Sequence, residues 1–164
     1  MNTIVHQQRP AEILLVEDND SDVELTRQGL RRTEWSVNLH VAGNGEECMA
    51  FLRKQAPFTS VPTPDLVLLD LNMPRKDGRS VLVDICADED LCQLPVVVLT
   101  TSSDEQEILR MYRLRCSAYI VKPLAFQDFV RAIRTVGDFW LTVAVAHQEG
   151  PAAPDPTKGA SPLP

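Results

Sequence analysis

The feature that most constrains the fold of this chain is a set of short apolar runs that do not alternate with polar residues. The clear runs occupy residues 13–16, 66–69, 96–99 and 119–121, and a fainter one occupies 37–41. A strand that is apolar on both faces must be covered on both faces, as in a parallel sheet flanked by helices. The runs therefore predict the strands of one parallel sheet, buried on both sides.

Segments with helical spacing lie between these runs, so that strands and helices alternate along the chain. Ahead of one such segment, Ser103 is followed three residues later by Gln106, which suits a capping box at a helix start. The alternation favours right-handed βαβ units and an α/β, doubly wound parallel sheet of five strands with five helices. We predict a flexible amino terminus over residues 1–11, one folded domain over 12–146, and a disordered tail rich in Pro, Ala and Gly over 147–164.

The composition argues against nucleic acids and membranes as partners. The chain of 164 residues carries a net charge of −7, so its field repels phosphate backbones and anionic lipids. Its longest dense apolar stretch, 139–146, is far shorter than the roughly 20 residues of a membrane span. The first ten residues are polar and lack the apolar core of a signal peptide. We expect a soluble, cytoplasmic protein, and the chain beyond the predicted domain is too short for a DNA-binding module.

Polar residues follow the predicted strands at their carboxyl ends, which is where ligands bind in open parallel sheets. These residues are Glu17, Asp18, Asp70, Asn72, Thr100 and Lys122. Three carboxylates in one crevice repel one another unless a cation lies among them, and hard oxygen ligands favour Mg²⁺. Mg²⁺ keeps several waters and commonly binds phosphate oxygens as well, and the ammonium of Lys122 offers a phosphate a second positive partner. The pattern indicates a site for a phosphorylated species.

The same residues, together with Tyr119, the motif Asp70-Leu71-Asn72-Met73-Pro74 and the pair Lys122-Pro123, resemble the response-regulator receiver (CheY-like) family. The resemblance covers nearly the whole predicted domain and implies a flavodoxin-like sheet with strand order 2-1-3-4-5. It also implies a bound Mg²⁺ or Mn²⁺, held directly by Asp18, Asp70 and the backbone carbonyl of Asn72, and by Glu17 through water. The sequence departs from the commonest pattern at Glu17, where many members have Asp.

The function implied by this resemblance is phosphoryl transfer to Asp70 from the phosphohistidine of a sensor histidine kinase. Lys122 and Thr100 would contact the phosphoryl group, and Thr100 and Tyr119 would form the switch that alters a partner surface. Such a protein is a phosphoacceptor that catalyses its own phosphorylation and dephosphorylation, and is not an enzyme acting on a separate substrate.

A narrower resemblance comes from the long Pro-containing loop over residues 55–64 and from Asp138-Phe139-Trp140-Leu141 in an extended last helix. Both features resemble the small single-domain regulators that accompany phytochrome-type histidine kinases. This resemblance implies that the kinase partner is a bacterial or cyanobacterial phytochrome. The kinase would dock on the first helix, roughly residues 20–31, beside the acceptor site.

The end of the predicted last helix indicates an interface. Phe139, Trp140 and Leu141 begin a segment that is apolar nearly all round, and exposed patches of this kind usually mark contact surfaces. We expect a symmetric homodimer through the last helix and the fourth-helix face, with Trp140 as a buried anchor. The alternative is that this segment folds back on its own domain.

Two other functions stay open at this point. Asp70 could be the nucleophile of a haloacid-dehalogenase-like phosphatase, which also uses a strand-end Asp with Mg²⁺. Such an enzyme, however, carries a second Asp two residues later, where this chain has Asn72, and places its nucleophile on the first strand. The third possibility is an adaptor that keeps the receiver fold but is never phosphorylated.

Overall fold

The computed structural model describes residues 9–143, which form five strands and five α-helices followed by a short π-helical segment. The elements are β1 (Ala11–Val16), α1 (Asp20–Arg31), β2 (Val37–Ala42), α2 (Gly45–Leu52), β3 (Leu66–Leu69), α3 (Gly78–Ala87), β4 (Val96–Thr100), α4 (Glu105–Arg113), β5 (Ala118–Val121), α5 (Phe126–Asp138) and the π-helical segment Phe139–Val143. No helix in this part of the chain is long and apolar enough to cross a membrane. The tail predicted at 147–164 and most of the predicted flexible amino terminus lie outside the described residues.

The five strands form one parallel sheet in the order β2-β1-β3-β4-β5, which confirms the predicted architecture. Helices pack on both faces, so the sheet separates two apolar clusters. One contains Leu14 and Leu69, and the other contains Ile13 and Leu68. The strand order reverses between β1 and β3, where Val16 lies beside Leu69 in the register. Chains with this topology leave a crevice at that point, outside the carboxyl ends of the two strands.

The central strands and the edge strands differ in burial. Every residue of β3 and β4 is buried, as the non-alternating apolar runs predict. In β5, by contrast, three residues are half-buried and Val121 is exposed. In β2 only Ala42 is buried, and Val41 is exposed. The predicted burial of these two runs on both sides is therefore wrong, because both strands lie at an edge of the sheet and have a neighbour on one side only.

Side-chain caps fix the starts of the helices that border the crevice. Asn19 caps α1 and Asp77 caps α3, each by accepting a hydrogen bond from a backbone N–H three residues later. In α4 the cap is Asp104, whose side chain accepts from the backbone N–H of Glu107 at 2.9 Å. The capping box predicted at Ser103 is therefore placed one residue too early, and its reciprocal half does not form because Arg79 engages the Glu107 carboxylate.

Helices α1 and α5 pack closely at Gly29. A Cβ atom added there would lie 2.6 Å from Cβ of Ile133 and 2.8 Å from the carbonyl oxygen of Val130, so only glycine allows this approach. Beyond α5, Leu141 is 3% exposed within the same cluster, and Trp140 packs partly against it. Leu141, which we expected at a dimer interface, is thus covered by the core of its own chain, because the π-helical turn directs it inward.

The close packing of α1 on α5 gives the first prediction. We expect Gly29→Ala to lower the free energy of unfolding by about 1–3 kcal/mol, because the new methyl group must displace Ile133 or the α5 backbone. Part of this loss is offset by the higher helix propensity of Ala, about 1 kcal/mol. Urea denaturation measures the change. Gly43→Ala is the control, because a Cβ there meets no atom closer than 3.7 Å. An equal effect in both variants would contradict the packing argument.

Candidate functional site

The carboxyl ends of four strands bring the predicted site residues to one edge of the sheet. The residues are Glu17 and Asp18 after β1, Asp70 and Asn72 after β3, Thr100 at the end of β4, and Lys122 after β5. Backbone hydrogen bonds between neighbouring strands extend to the site residues that directly follow β3 and β5. The N–H of Asp70 donates to the carbonyl of Val16 at 3.0 Å, and the N–H of Lys122 donates to the carbonyl of Thr100 at 2.7 Å.

Three carboxylates form a compact group at this edge. Glu17 and Asp70 are 3% and 6% exposed, Asp18 is exposed, and one oxygen of each lies within 4.8 Å of the others. The backbone N–H of Asn72 donates to Oδ1 of Asp70 at 3.2 Å and orients that carboxylate. A donor set made only of oxygens, with two buried carboxylates and one open to solvent, fits a hard divalent cation such as Mg²⁺ or Mn²⁺.

Lys122 places a buried ammonium among acidic side chains. Its Nζ lies 2.6 Å from Oε2 of Glu17, 2.8 Å from Oδ2 of Asp22 and 3.5 Å from Oδ2 of Asp70. Asp22, in the first turn of α1, is a site residue that the sequence reasoning missed. Acidic residues are common at helix starts because they complement the helix dipole, so nothing in the sequence distinguishes Asp22 from an ordinary surface position.

The two buried partners have shifted pKa values. Burial, with the neighbouring charge of Asp70, raises the pKa of the Glu17 carboxyl to about 7 although Lys122 lies beside it. Burial alone would lower the pKa of Lys122, but its hydrogen bonds to Asp22 and Glu17 outweigh that effect and raise it. Lys122 therefore stays protonated and supplies a fixed positive charge next to Asp70.

The predicted switch residues are connected through the loop between β4 and α4. Thr100 is fully buried, and its Oγ1 accepts hydrogen bonds from Nδ2 of Asn72 at 3.4 Å and from the N–H of Ser102 at 3.5 Å. The hydroxyl of Tyr119, which is half-buried, donates to the carbonyl of Ser102 at 2.9 Å. Burial raises the pKa of this phenol. Ser102 thus contacts both residues, and Tyr119 is turned toward the loop.

Gly78 shapes the backbone that carries Asp70. A Cβ atom at this position would overlap the carbonyl oxygen of Asp70 and would lie 2.8 Å from Cα of Leu71. The N–H of Gly78 donates to the carbonyl of Leu71 at 3.1 Å. The loop between β3 and α3 therefore closes tightly behind Asp70, and a larger residue at 78 would push the carboxylate out of place.

Comparison with known proteins gives a consistent set of relatives. A sequence model of the family described as "Response regulator receiver domain" matches residues 13–134. Response regulator Rcp1 from Synechocystis sp. strain PCC 6803 is 39% identical over 132 residues, which cover 80% of this chain and 90% of Rcp1. The crystal structure of the Mn(2+)-bound form of Rcp1 has a TM-score of 0.80 at 38% identity and covers 84% of this chain and 99% of that one.

Two further solved structures resemble the fold described above. The phosphorylated cyanobacterial phytochrome response regulator RcpA has a TM-score of 0.82 at 36% identity, covering 85% of this chain and 100% of that chain. The bacteriophytochrome response regulator AtBRR has a TM-score of 0.65 at 38% identity, covering 80% and 96%. All three relatives are named as response regulators, and two of the names include a phytochrome.

The buried ammonium gives a prediction about stability. We expect Lys122→Met to lower the free energy of unfolding by about 3 kcal/mol, because it leaves buried carboxylates without their cationic partner. Urea denaturation in EDTA measures this. The control is Arg131→Met, since Arg131 pairs with Asp128 with side chains 72% and 57% exposed, where an ion pair contributes under about 1 kcal/mol. Equal losses in the two variants would show that burial of Lys122 is not the cause.

Proposed function

The chain belongs to the response regulator receiver family, and from this premise we propose that Asp70 accepts a phosphoryl group from the phosphohistidine of a sensor histidine kinase. As a receiver it is related to the phytochrome response regulators. The observation that carries the proposal is the meeting of a buried acceptor carboxylate, a fixed ammonium and an oxygen donor set for a cation at one strand edge. We also propose that the chain catalyses its own phosphorylation and the later hydrolysis.

In the proposed transfer, one oxygen of the Asp70 carboxylate bonds to phosphorus while the bond from phosphorus to the imidazole nitrogen breaks. The electron pair of that bond stays on the imidazole, which takes up a proton from solvent, and the products are a neutral histidine and an acyl phosphate on Asp70. The N–H of Asn72 orients the carboxylate from one side. Lys122, 3.5 Å from Asp70, is within reach of a phosphoryl oxygen on that residue and stabilises its charge.

The cation proposed for this site is Mg²⁺ or Mn²⁺. Asp18, Asp70 and the backbone carbonyl of Asn72 would hold it directly, and Glu17 would hold it through water. When bound, the ion would neutralise charge on the phosphoryl oxygens and on the crowded carboxylates. The mutual distances of the carboxylates support this ligand set, and the relative Rcp1 has been solved in an Mn(2+)-bound form.

The partner we propose is a phytochrome-type histidine kinase, and it would dock on α1. The names of the relatives RcpA and AtBRR support this choice. The position of α1 supports the docking surface, because Asp22 in its first turn binds Lys122 and so brings the helix start to the border of the site. The cytoplasmic location stays a prediction from the sequence.

The position of Asp70 and the residue that follows it by two argue against the phosphatase alternative. The acceptor Asp70 follows β3, the third strand in chain order and the central one of the sheet. Asn72 cannot act as the general acid that such a phosphatase places two residues after its nucleophile. The family match covers the whole site, from Glu17 to Lys122. The adaptor alternative differs from the proposal in one measurable property, which is whether the protein becomes phosphorylated.

Phosphorylation of Asp70 is tested with acetyl phosphate as a small phosphoryl donor. We expect wild-type protein to gain one phosphoryl group in intact-mass spectra with Mg²⁺ and none in EDTA, and Asp70→Asn to gain none in either condition. Asp20→Asn is the matched control, since Asp20 lies in the first turn of α1 outside the carboxylate group, and it should react as the wild type does. No gain in the wild type would favour the adaptor, and steady release of phosphate by Asp70→Asn would refute the acceptor.

We propose in addition a symmetric homodimer through the end of the last helix and the face of α4. Phe139 is 50% exposed and packs edge-to-face on Trp140 with ring centroids 5.5 Å apart. On α4, Leu109 and Tyr112 are exposed as well. Large apolar side chains exposed on each of these two elements support their use as contact surfaces.

The dimer is tested by apparent mass in sedimentation velocity. We expect Phe139→Ser and Trp140→Ala to shift the protein toward the monomer, because each removes apolar area from the proposed interface. Phe139→Ser is the cleaner variant, since Trp140 also packs against its own core. Val83→Ser, at an exposed position on α3, is the control and should behave as the wild type. An unchanged mass for Phe139→Ser would rule this interface out.

A further inference from the structure

A half-buried ion pair joins α3 to α4 beside the acceptor. Arg79, in the first turn of α3, donates from Nε and Nη2 to Oε2 of Glu107 at 3.0 and 2.5 Å. Glu107 lies in the first turn of α4. The two side chains are 24% and 18% exposed, whereas those of the nearby pair Arg75–Glu46 are 67% and 64% exposed. The pair between α3 and α4 is therefore shielded from solvent and from salt far better than an ordinary surface pair.

The same guanidinium reaches the loop that carries Asp70. Nη1 of Arg79 donates to the carbonyl oxygen of Leu71 at 3.4 Å, and Leu71 directly follows Asp70. That carbonyl also accepts from the N–H of Gly78 at 3.1 Å. A displacement of the backbone after Asp70 would thus move Arg79 and, through the ion pair, the first turn of α4.

Glu107 also faces the Tyr119 hydroxyl. Its Oε1 lies 3.4 Å from that hydroxyl, and the carbonyl oxygen of Ser102 lies 2.9 Å from it. A phenol has a single proton to donate, so the two acceptors compete for it. A free carboxylate is the stronger acceptor of the two. Because Arg79 takes up the charge of Glu107 on the other oxygen, the proton is left to the carbonyl of Ser102, which is the shorter contact.

We propose that Arg79 is a positioning residue that, by pairing with Glu107, directs the Tyr119 hydroxyl to Ser102 and ties the start of α4 to the acceptor loop. The ion pair is then a second link, besides Thr100 and Ser102, through which the state of Asp70 reaches Tyr119. This inference rests on the proposed phosphorylation of Asp70 for its signalling role. The placement of Tyr119 in the unphosphorylated protein is a separate consequence that can be measured without it.

Fluorine NMR of protein labelled with 3-fluorotyrosine tests the link. The chain has two tyrosines, so two resonances are expected, and Tyr119→Phe identifies the signal that belongs to Tyr119. Beryllofluoride with Mg²⁺ serves as a stable mimic of the phosphoryl group. We expect Arg79→Gln to shift the Tyr119 resonance at rest, because Glu107 then competes for the proton. We also expect the response to beryllofluoride to fall to about half or less of the wild-type shift, as for the loss of one link in a switch.

Phosphorylation by acetyl phosphate in Arg79→Gln should stay within about twofold of the wild type, since Arg79 touches neither the carboxylate of Asp70 nor the ammonium of Lys122. Glu107→Gln should reproduce the loss of response, and the double variant should lose no more than either single one, because both remove the same interaction. Arg79→Lys keeps the charge without the planar fork and should retain part of the response. Arg75→Gln is the matched control and should behave as the wild type.

A Tyr119 resonance that keeps its resting position and its full response in both Arg79→Gln and Glu107→Gln would overturn the proposal. Losses that add in the double variant would overturn it too, because they would show two independent effects. If wild-type protein shows neither phosphorylation nor a response to beryllofluoride, the proposed function fails. In that case the positioning role of Arg79 is decided only by the chemical shift of Tyr119 without beryllofluoride. A difference between the wild type and Arg79→Gln supports that role, and no difference overturns it.

Discussion

The site depends on one buried ammonium. Glu17 and Asp70 follow neighbouring strands and are almost fully buried, an arrangement that mutual repulsion and lost hydration would otherwise oppose. Lys122 lies within 3.5 Å of both and of Asp22, so one positive charge is shared by three acidic side chains. Its position requires β5 to end beside β4 and α1 to begin beside β1. The acidic crevice therefore exists only when the whole sheet is assembled in its final order.

Much of this arrangement can be predicted from the sequence because two signals are strong. Central strands of a doubly wound sheet are buried on both faces, and residues 66–69 and 96–99 show this as unbroken apolar runs. The polar residues that end those runs must then meet at one edge, since parallel strands share the direction of their carboxyl ends. The positions of Glu17, Asp70 and Lys122 follow from topology, without knowledge of a single distance.

The rest could not be predicted, because it depends on contacts between elements. Asp22, Arg79 and Glu107 occupy first turns of helices, where charged residues are common on any surface. Only the packing of α1, α3 and α4 beside the strand ends makes them neighbours of the site. Leu141 is apolar whether it meets a partner or its own core, so its sequence context does not decide between the two.

The contact at Gly29 has a consequence for the transmission of signals. Because α1 and α5 touch through backbone and Cβ atoms there, neither helix can slide or rotate without moving the other. A close-packed contact of this kind has low compressibility, so a displacement of one helix is passed on to the other. Any protein that binds α1 therefore also restrains the helix that leads into Phe139 and Trp140, and a binding event at one of these surfaces acts mechanically on the other.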